Sequence, residues 1–244
     1  MRLVNINNLF SRGKPLTASD CVDRYTTFAF NHQLTNYRMF TLESLIKSPP
    51  LVKGSDIPDY LFDLIAEDKV LGIANMVDDQ ALYIIFRSLK EKKFFTFGLK
   101  RPVPYGIKDF HNFQYGDPIV VVEGLKDRDA MSLIYPYTIA SQTAGIGLIQ
   151  YEILKTLTNN IILCFDDDES GRKAMARESR KLSKDFTVHL MKHPQGVKDS
   201  GTMADLEVDG NFFDLEFLKT WYEAELRTIL GSNYDVLLSK SRDK

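Results

Sequence analysis

Two short β-branched runs, each ending in acid, constrain the fold of this chain more than any other feature. The first is Ile119-Val120-Val121-Val122-Glu123-Gly124, and the second is Ile161-Ile162-Leu163-Cys164-Phe165-Asp166-Asp167-Asp168-Glu169-Ser170-Gly171. An unbroken apolar run of this length reads as a strand buried on both faces, the pattern of a parallel sheet covered by helices. In open parallel sheets, ligands gather beyond the carboxyl ends of the strands. Glu123 and the acids at 166–168 are therefore expected to meet at one rim. Carboxylates drawn together without nearby cations repel one another and resist full ionisation, and a hard divalent cation such as Mg²⁺ compensates that charge. A magnesium site is the first functional expectation.

The surrounding pattern supports that sheet. After the strand at 119–122, a helix is expected at 126–134, a strand at 137–140, a helix at 150–157 and the strand at 161–165. A helix at 171–182 and a strand at 186–191 complete a βαβ series. Upstream, 81–86 and 94–97 flank the polar turn 89–93 and read as a β-hairpin. Residues 17–20 look like a capped helix start, and 41–46 like a short helix stopped by Pro49-Pro50. From about 213 to 238, Phe217, Trp221, Leu226 and Leu230 recur at near-helical spacing, so a helical tail is expected to pack on the body or on a partner.

Composition bounds the rest. The 244 residues, 44% hydrophobic and 26% charged, suffice for one large domain or two small ones. A net charge of −2 provides no global basic field, so any nucleic-acid contact must come from local patches. Only Cys21 and Cys164 are present, which excludes a disulfide framework or a cysteine zinc cluster, and Cys164 reads as a buried strand thiol. No run approaches the ~20 apolar residues of a membrane span, and a cytoplasmic protein is expected. His32, His111, His189 and His193 are scattered; only the last two have ligand-like spacing, and ordinary polar roles are expected for all four.

Each acid carries its own alternatives. Glu123 precedes Gly124, which permits a tight turn or close approach to a ligand; by itself it could equally be a surface or cap residue. Asp127 follows four residues later, where an early helical turn can return it to the rim or leave it as a solvated first-turn acid favoured by the helix dipole. Asp166 and Asp168 share one side of an extended backbone, with Asp167 on the other, and form the expected metal pair. Glu169 and Ser170 are expected to cap the next helix. Asp199, in Gly196-Val197-Lys198-Asp199, falls at the same rim in a regular topology, with Lys198 as a phosphate contact.

Taken together, these motifs resemble the TOPRIM domain shared by bacterial and phage DNA primases, topoisomerases and several nucleases. Within that superfamily they are most similar to the catalytic core of DnaG-type primases. Val121-Val122-Glu123-Gly124-Leu125-Lys126-Asp127 is similar to the primase Glu-Gly-x-x-Asp motif. Residues 162–174 are similar to the Asp-Gly-Asp-x-x-Gly-x-x-Ala segment, with Asp167 in place of the glycine. Lys100-Arg101-Pro102-Val103-Pro104-Tyr105-Gly106-Ile107 resembles the basic Tyr-Gly element that precedes the first strand. The resemblance spans 82–205.

The resemblance implies an α/β protein: a smaller α+β subdomain at 1–115, a TOPRIM domain with a mostly parallel sheet flanked by helices at 116–210, and a helical tail at 211–244. It implies synthesis of short RNA primers on single-stranded DNA from ribonucleoside triphosphates, with Mg²⁺ or Mn²⁺, in a bacterial cell and as part of a phage or plasmid system. Glu123, Asp166 and Asp168 would be catalytic, and Glu123, Asp127, Asp166, Asp168 and Asp199 would organise metal. Arg87, Lys100, Arg101 and Lys198 would contact nucleic acid or nucleotide. Asp205 lies six residues after Asp199, where the family's second acid lies two after, and ranks lower. For Lys90, Lys92 and Lys93 a solvated, aggregation-resistant hairpin edge competes. With two cysteines and no Gly-x-x-x-x-Gly-Lys-Ser/Thr loop, a zinc-binding partner or a replicative helicase is expected in trans. A TOPRIM nuclease using the same acids is the first alternative, because two-metal chemistry makes and breaks phosphodiesters. A non-catalytic replication accessory or nucleic-acid-binding protein is the second, and a topoisomerase ranks last.

Overall fold

The computed structural model describes residues 6–41, 44, 69–77, 80–91, 93–98 and 103–242. The chain divides into two compact units, Met1–Lys100 and Arg101–Lys244. Lys92, Lys100 and Arg101 lie outside the described residues, as does most of the short helix expected at 41–46.

The first unit is built on an antiparallel sheet of order β1-β2-β3-β4-β5, with β1 at Lys14–Pro15, β2 at Tyr37–Phe40, β3 at Val70–Val77, β4 at Gln80–Ser88 and β5 at Phe94–Gly98. The expected hairpin is β4 and β5, paired from Tyr83↔Gly98 to Arg87↔Phe94. Helix α1, Ile6–Phe10, contributes Leu9 and Phe10 to a core with Phe40, Val70, Ala74, Ile84 and Phe86. The capped start at Thr17 leads only to a single 3₁₀ turn, Ala18–Asp20. A full helix, α2 at Arg24–Asn31, begins at the next cap, where Asp23 Oδ1 accepts from Thr26 N at 2.8 Å. The side-chain acceptor takes a backbone donor that has no partner within the helix.

The second unit holds a four-stranded parallel sheet of order β7-β6-β8-β9. Its elements run β6 Ile119–Val122, α3 Leu125–Ser132, β7 Thr138–Ala140, α4 Leu148–Leu157, β8 Asn160–Leu163, α5 Glu169–Leu182 and β9 Thr187–Leu190. Helices α6 Thr202–Val208, α7 Phe212–Leu230 and α8 Asn233–Arg242 follow. Every residue of β6 is buried, which is why its sequence is uniformly apolar instead of alternating. Ile119, Val121, Ile139, Leu154, Ile161, Leu163 and Phe165 form one core with Ala174 and Leu182 of α5. The Cys164 thiol is buried, as expected.

The tail packs through Leu226, as its spacing suggested, but otherwise not through the Phe217 and Trp221 side. Leu215, Leu218, Tyr222 and Leu226 are the buried positions of α7, whereas Phe217 is 54% exposed and Trp221 lies on the same outward side. Both sets have helical spacing, and burial of the tyrosine face is decided by what it meets. No helix among the described residues is long and apolar enough to cross a membrane.

Candidate active site

The sheet register delivers Glu123 and Asp166 to one rim. Val121 of β6 pairs with Leu163 of β8, and Cys164 N continues the ladder to Val121 O at 2.9 Å. Glu123 leaves the end of β6, and its Oε1 is buried with no hydrogen-bond partner. That oxygen lies against the start of α5, 2.9 Å from where a Cβ on Gly171 would stand. Burial, reinforced by the charges of Asp166 and Asp168, pushes the Glu123 carboxyl up to about 7.

Asp127 is a buried tie and not a solvated first-turn acid. Its Oδ2 accepts from Gly124 N at 2.8 Å and its Oδ1 from Gly201 N at 3.0 Å, joining the entrances of α3 and α6. Burial, then Asp199 and Asp166, raise its pKa. Each oxygen keeps a second lone pair for another partner.

Asp166 and Asp168 face the same cation. Lys198 Nζ stands 3.2 Å from Asp166 Oδ2 and 3.1 Å from Asp168 Oδ2. Burial nonetheless leaves Asp166 above the usual carboxylate range. Asp168 is held below it, by the Gly171 N–H and by Lys198. Asp168 itself is the N-cap of α5, accepting from Gly171 N at 2.9 Å, so the cap falls one residue before the expected Glu169 and Ser170. A side chain at the last extended position aims back at the free N–H groups of the first turn, which the next two residues, already helical, cannot do. Asp167 points elsewhere, pairing with Arg172 at 2.9 Å, while its N–H donates to Lys198 O at 2.6 Å. Gly171 is required by proximity: a Cβ there would fall 2.1 Å from the Asp166 carbonyl oxygen.

Asp199 completes the cluster from the loop after β9. Its Oδ1 accepts from Thr202 N at 3.0 Å, and its charge contributes to the raised pKa of both Asp127 and Asp166. Asp205 lies on α6 and pairs with Lys126 at 2.7 Å.

Among the described residues, no three His, Cys, Asp or Glu side chains stand close enough to enclose a metal ion as they are. The donor set still suits a hard divalent cation, because it consists of carboxylates only, one buried oxygen of Glu123 lacks any partner, and the neighbouring pair already binds an ammonium.

The Tyr-Gly element has a structural part that sequence spacing did not reveal. Tyr105 pairs with Ala140 beside β7, and its hydroxyl donates to the Asp129 carboxylate at 3.1 Å. Gly106 adopts φ +106°, and a Cβ there would collide with Arg128. Arg128 is buried; it donates to Thr138 O and Gly106 O, each at 3.1 Å, and to Asp129 at 3.0 Å, and it also pairs with Asp109. Nothing in the local pattern distinguishes this arginine from a surface helix residue.

Of the predicted nucleic-acid contacts, Arg87 and Lys198 are among the described residues. Lys198 lies in the acid cluster. Arg87 belongs to the first unit, where it pairs with Asp23 and stacks its guanidinium 4.7 Å from the Tyr25 ring centre. Lys93 pairs with Glu91 at 2.7 Å on the hairpin.

Comparison with known proteins agrees with this geometry. Residues 120–203 match the family described as Toprim-like. No curated protein matches the sequence. Among solved structures, a DnaG catalytic core aligns at 17% identity with a TM-score of 0.60, covering 91% of this chain and 77% of that one. A DnaG primase catalytic domain bound to ssDNA aligns at 15% identity and TM-score 0.56, covering 97% and 91%. The E. coli primase catalytic core aligns at 17% identity and TM-score 0.55, covering 92% and 78%. The chain has the fold of a TOPRIM primase-like core.

Proposed function

We propose that a chain with this fold is a primase-like nucleotidyltransferase that synthesises short RNA primers on single-stranded DNA from ribonucleoside triphosphates. The observation that carries the reading is the buried, unpartnered Glu123 Oε1 at the end of β6, beside Asp166 and Asp168 at the end of β8. The similarity to a primase domain bound to ssDNA supports the choice of template.

In this reading Asp166, Asp168 and Asp199 hold Mg²⁺, or Mn²⁺ in its place, and Asp127 keeps the loops that carry them together. Bound there, the divalent cation supplies activation of the attacking hydroxyl and stabilisation of the leaving pyrophosphate. Glu123, poised near neutrality, accepts the proton of the attacking 3′-hydroxyl or orients the cation-binding oxygens. Lys198 exchanges its carboxylate partners for triphosphate oxygens. Arg87, Lys100 and Arg101 contact template or nucleotide.

The test incubates the full chain with single-stranded DNA, four ribonucleotides, one of them labelled, and Mg²⁺, beside Glu123→Gln and Asp166→Asn. Short labelled RNA that disappears in both variants is the expected result. Metal-dependent shortening of the DNA without synthesis, abolished by the same substitutions, would replace the primase reading with a nuclease.

A further inference from the structure

Helix α7 reaches the acid cluster through two side chains that the chemistry above does not use. β8 and β9 pair regularly up to the bond from Met191 N to Leu163 O, at 2.9 Å. The next carbonyl on that edge, two residues on, belongs to Phe165, immediately before Asp166. Its partner is the His193 imidazole, with Nε2 at 3.0 Å. On the other side of the ring, Nδ1 lies 2.6 Å from the Tyr222 hydroxyl of α7. Both residues are buried, Tyr222 completely.

The Phe165 carbonyl selects the tautomer of this ring, whose Nε2 also lies 3.8 Å from the Cys164 thiol. A carbonyl only accepts, so His193 Nε2 carries hydrogen; burial keeps the ring neutral, so Nδ1 accepts from Tyr222 O–H. The tyrosine thereby holds the ring from its other side, and the imidazole extends the strand ladder by one rung, with a side chain donating where a backbone N–H ordinarily would. Ligand-bearing backbone held by a partner one shell out is the arrangement that tunes metal sites elsewhere.

We propose that Tyr222 and His193 are positioning residues that hold the Phe165–Asp166 backbone, making α7 part of the metal-binding apparatus. This rests on the reading of Asp166 as a metal ligand. Removing the Tyr222 hydroxyl leaves Nδ1 without a donor, frees the ring to turn, and releases the Phe165 carbonyl and the carboxylate that follows it.

The test is Mn²⁺ binding to the full chain, followed by the paramagnetic resonance signal of the free ion well below the unfolding temperature, with primer synthesis and thermal unfolding measured separately. Tyr222→Phe, which keeps the ring, and His193→Ala should each weaken Mn²⁺ binding roughly tenfold, at the low end for outer-shell partners. His193→Gln retains an N–H donor for Phe165 and should recover part of the loss. Phe217→Ser, on the exposed side of the same helix, should leave binding unchanged. Wild-type Mn²⁺ affinity in Tyr222→Phe overturns the proposal even if the unfolding temperature falls, since that is the outcome of a purely structural contact. Failure of the wild type to bind Mn²⁺ overturns it as well. Binding that follows the expected order in a protein that makes no RNA sustains the positioning role and removes the primase reading.

Discussion

The Lys198 ammonium lies 3.2 Å from the Asp166 carboxylate and shares itself with Asp168. A resident monovalent cation thus holds the oxygens that the proposed divalent ion needs. Lys198 is more than half exposed, so each pair falls in the surface range of about 0–1 kcal/mol. Lys198→Met should therefore bind Mn²⁺ about two- to fivefold more tightly, by the ratio of tenfold per 1.4 kcal/mol. Weaker binding would mean that the lysine organises the carboxylates instead of competing for them.

Glu123 makes the metal-free protein sensitive to pH. Its folded pKa of about 7 stands above its ordinary value of 4.5, so between these pH values the native state binds more protons than the unfolded one. Stability contributed by this group therefore falls as pH rises from about 4.5 to about 7, and is level above. In chelator, the unfolding temperature of wild type relative to Glu123→Gln should drop across that interval. Mg²⁺ should offset the loss most at the alkaline end, where the carboxylate is ionised. A difference that stays constant with pH would show that Glu123 titrates normally.

Gly171→Ala should damage stability and site together. Its Cβ would meet the Asp166 carbonyl oxygen at 2.1 Å, a backbone atom that cannot swing aside. Overpacking of this kind costs about 1–3 kcal/mol. Urea unfolding should show that loss, and Mn²⁺ binding should fall with it because the displaced carbonyl belongs to Asp166. A neutral substitution would mean that the α5 entrance relaxes freely.

Arg128→Ala should be among the most destabilising single changes in the second unit. It would leave the Asp129 carboxylate, 3% exposed, without its guanidinium and remove a donor from each of the Thr138 and Gly106 carbonyls. Breaking a buried pair from one side costs about 3–5 kcal/mol. Arg128→Lys should restore little, since an ammonium cannot reproduce the planar fork that serves these separate acceptors. Denaturant midpoints of the two variants decide the point.

The sequence by itself determined the parallel sheet and the rim at which acids collect. Runs such as 119–122 and 161–165 are apolar at every position, the pattern of a strand covered on both faces where a half-exposed strand would alternate. The period of an extended chain separated Asp166 and Asp168 from Asp167 before any contact was known, and Asp167 does turn away to Arg172. Tertiary structure alone decided which groups complete one another. His193 and Tyr222 lie 29 residues apart yet share a hydrogen bond, Asp127 bonds to a glycine 74 residues away, and Arg128 is buried where its neighbours in sequence offer no warning. The same holds for α7, whose aromatic stripe at Phe217 faces outward while Tyr222 faces in. Periodicity is a local property that records how a segment turns, whereas burial and hydrogen bonding depend on which distant surface arrives to meet it.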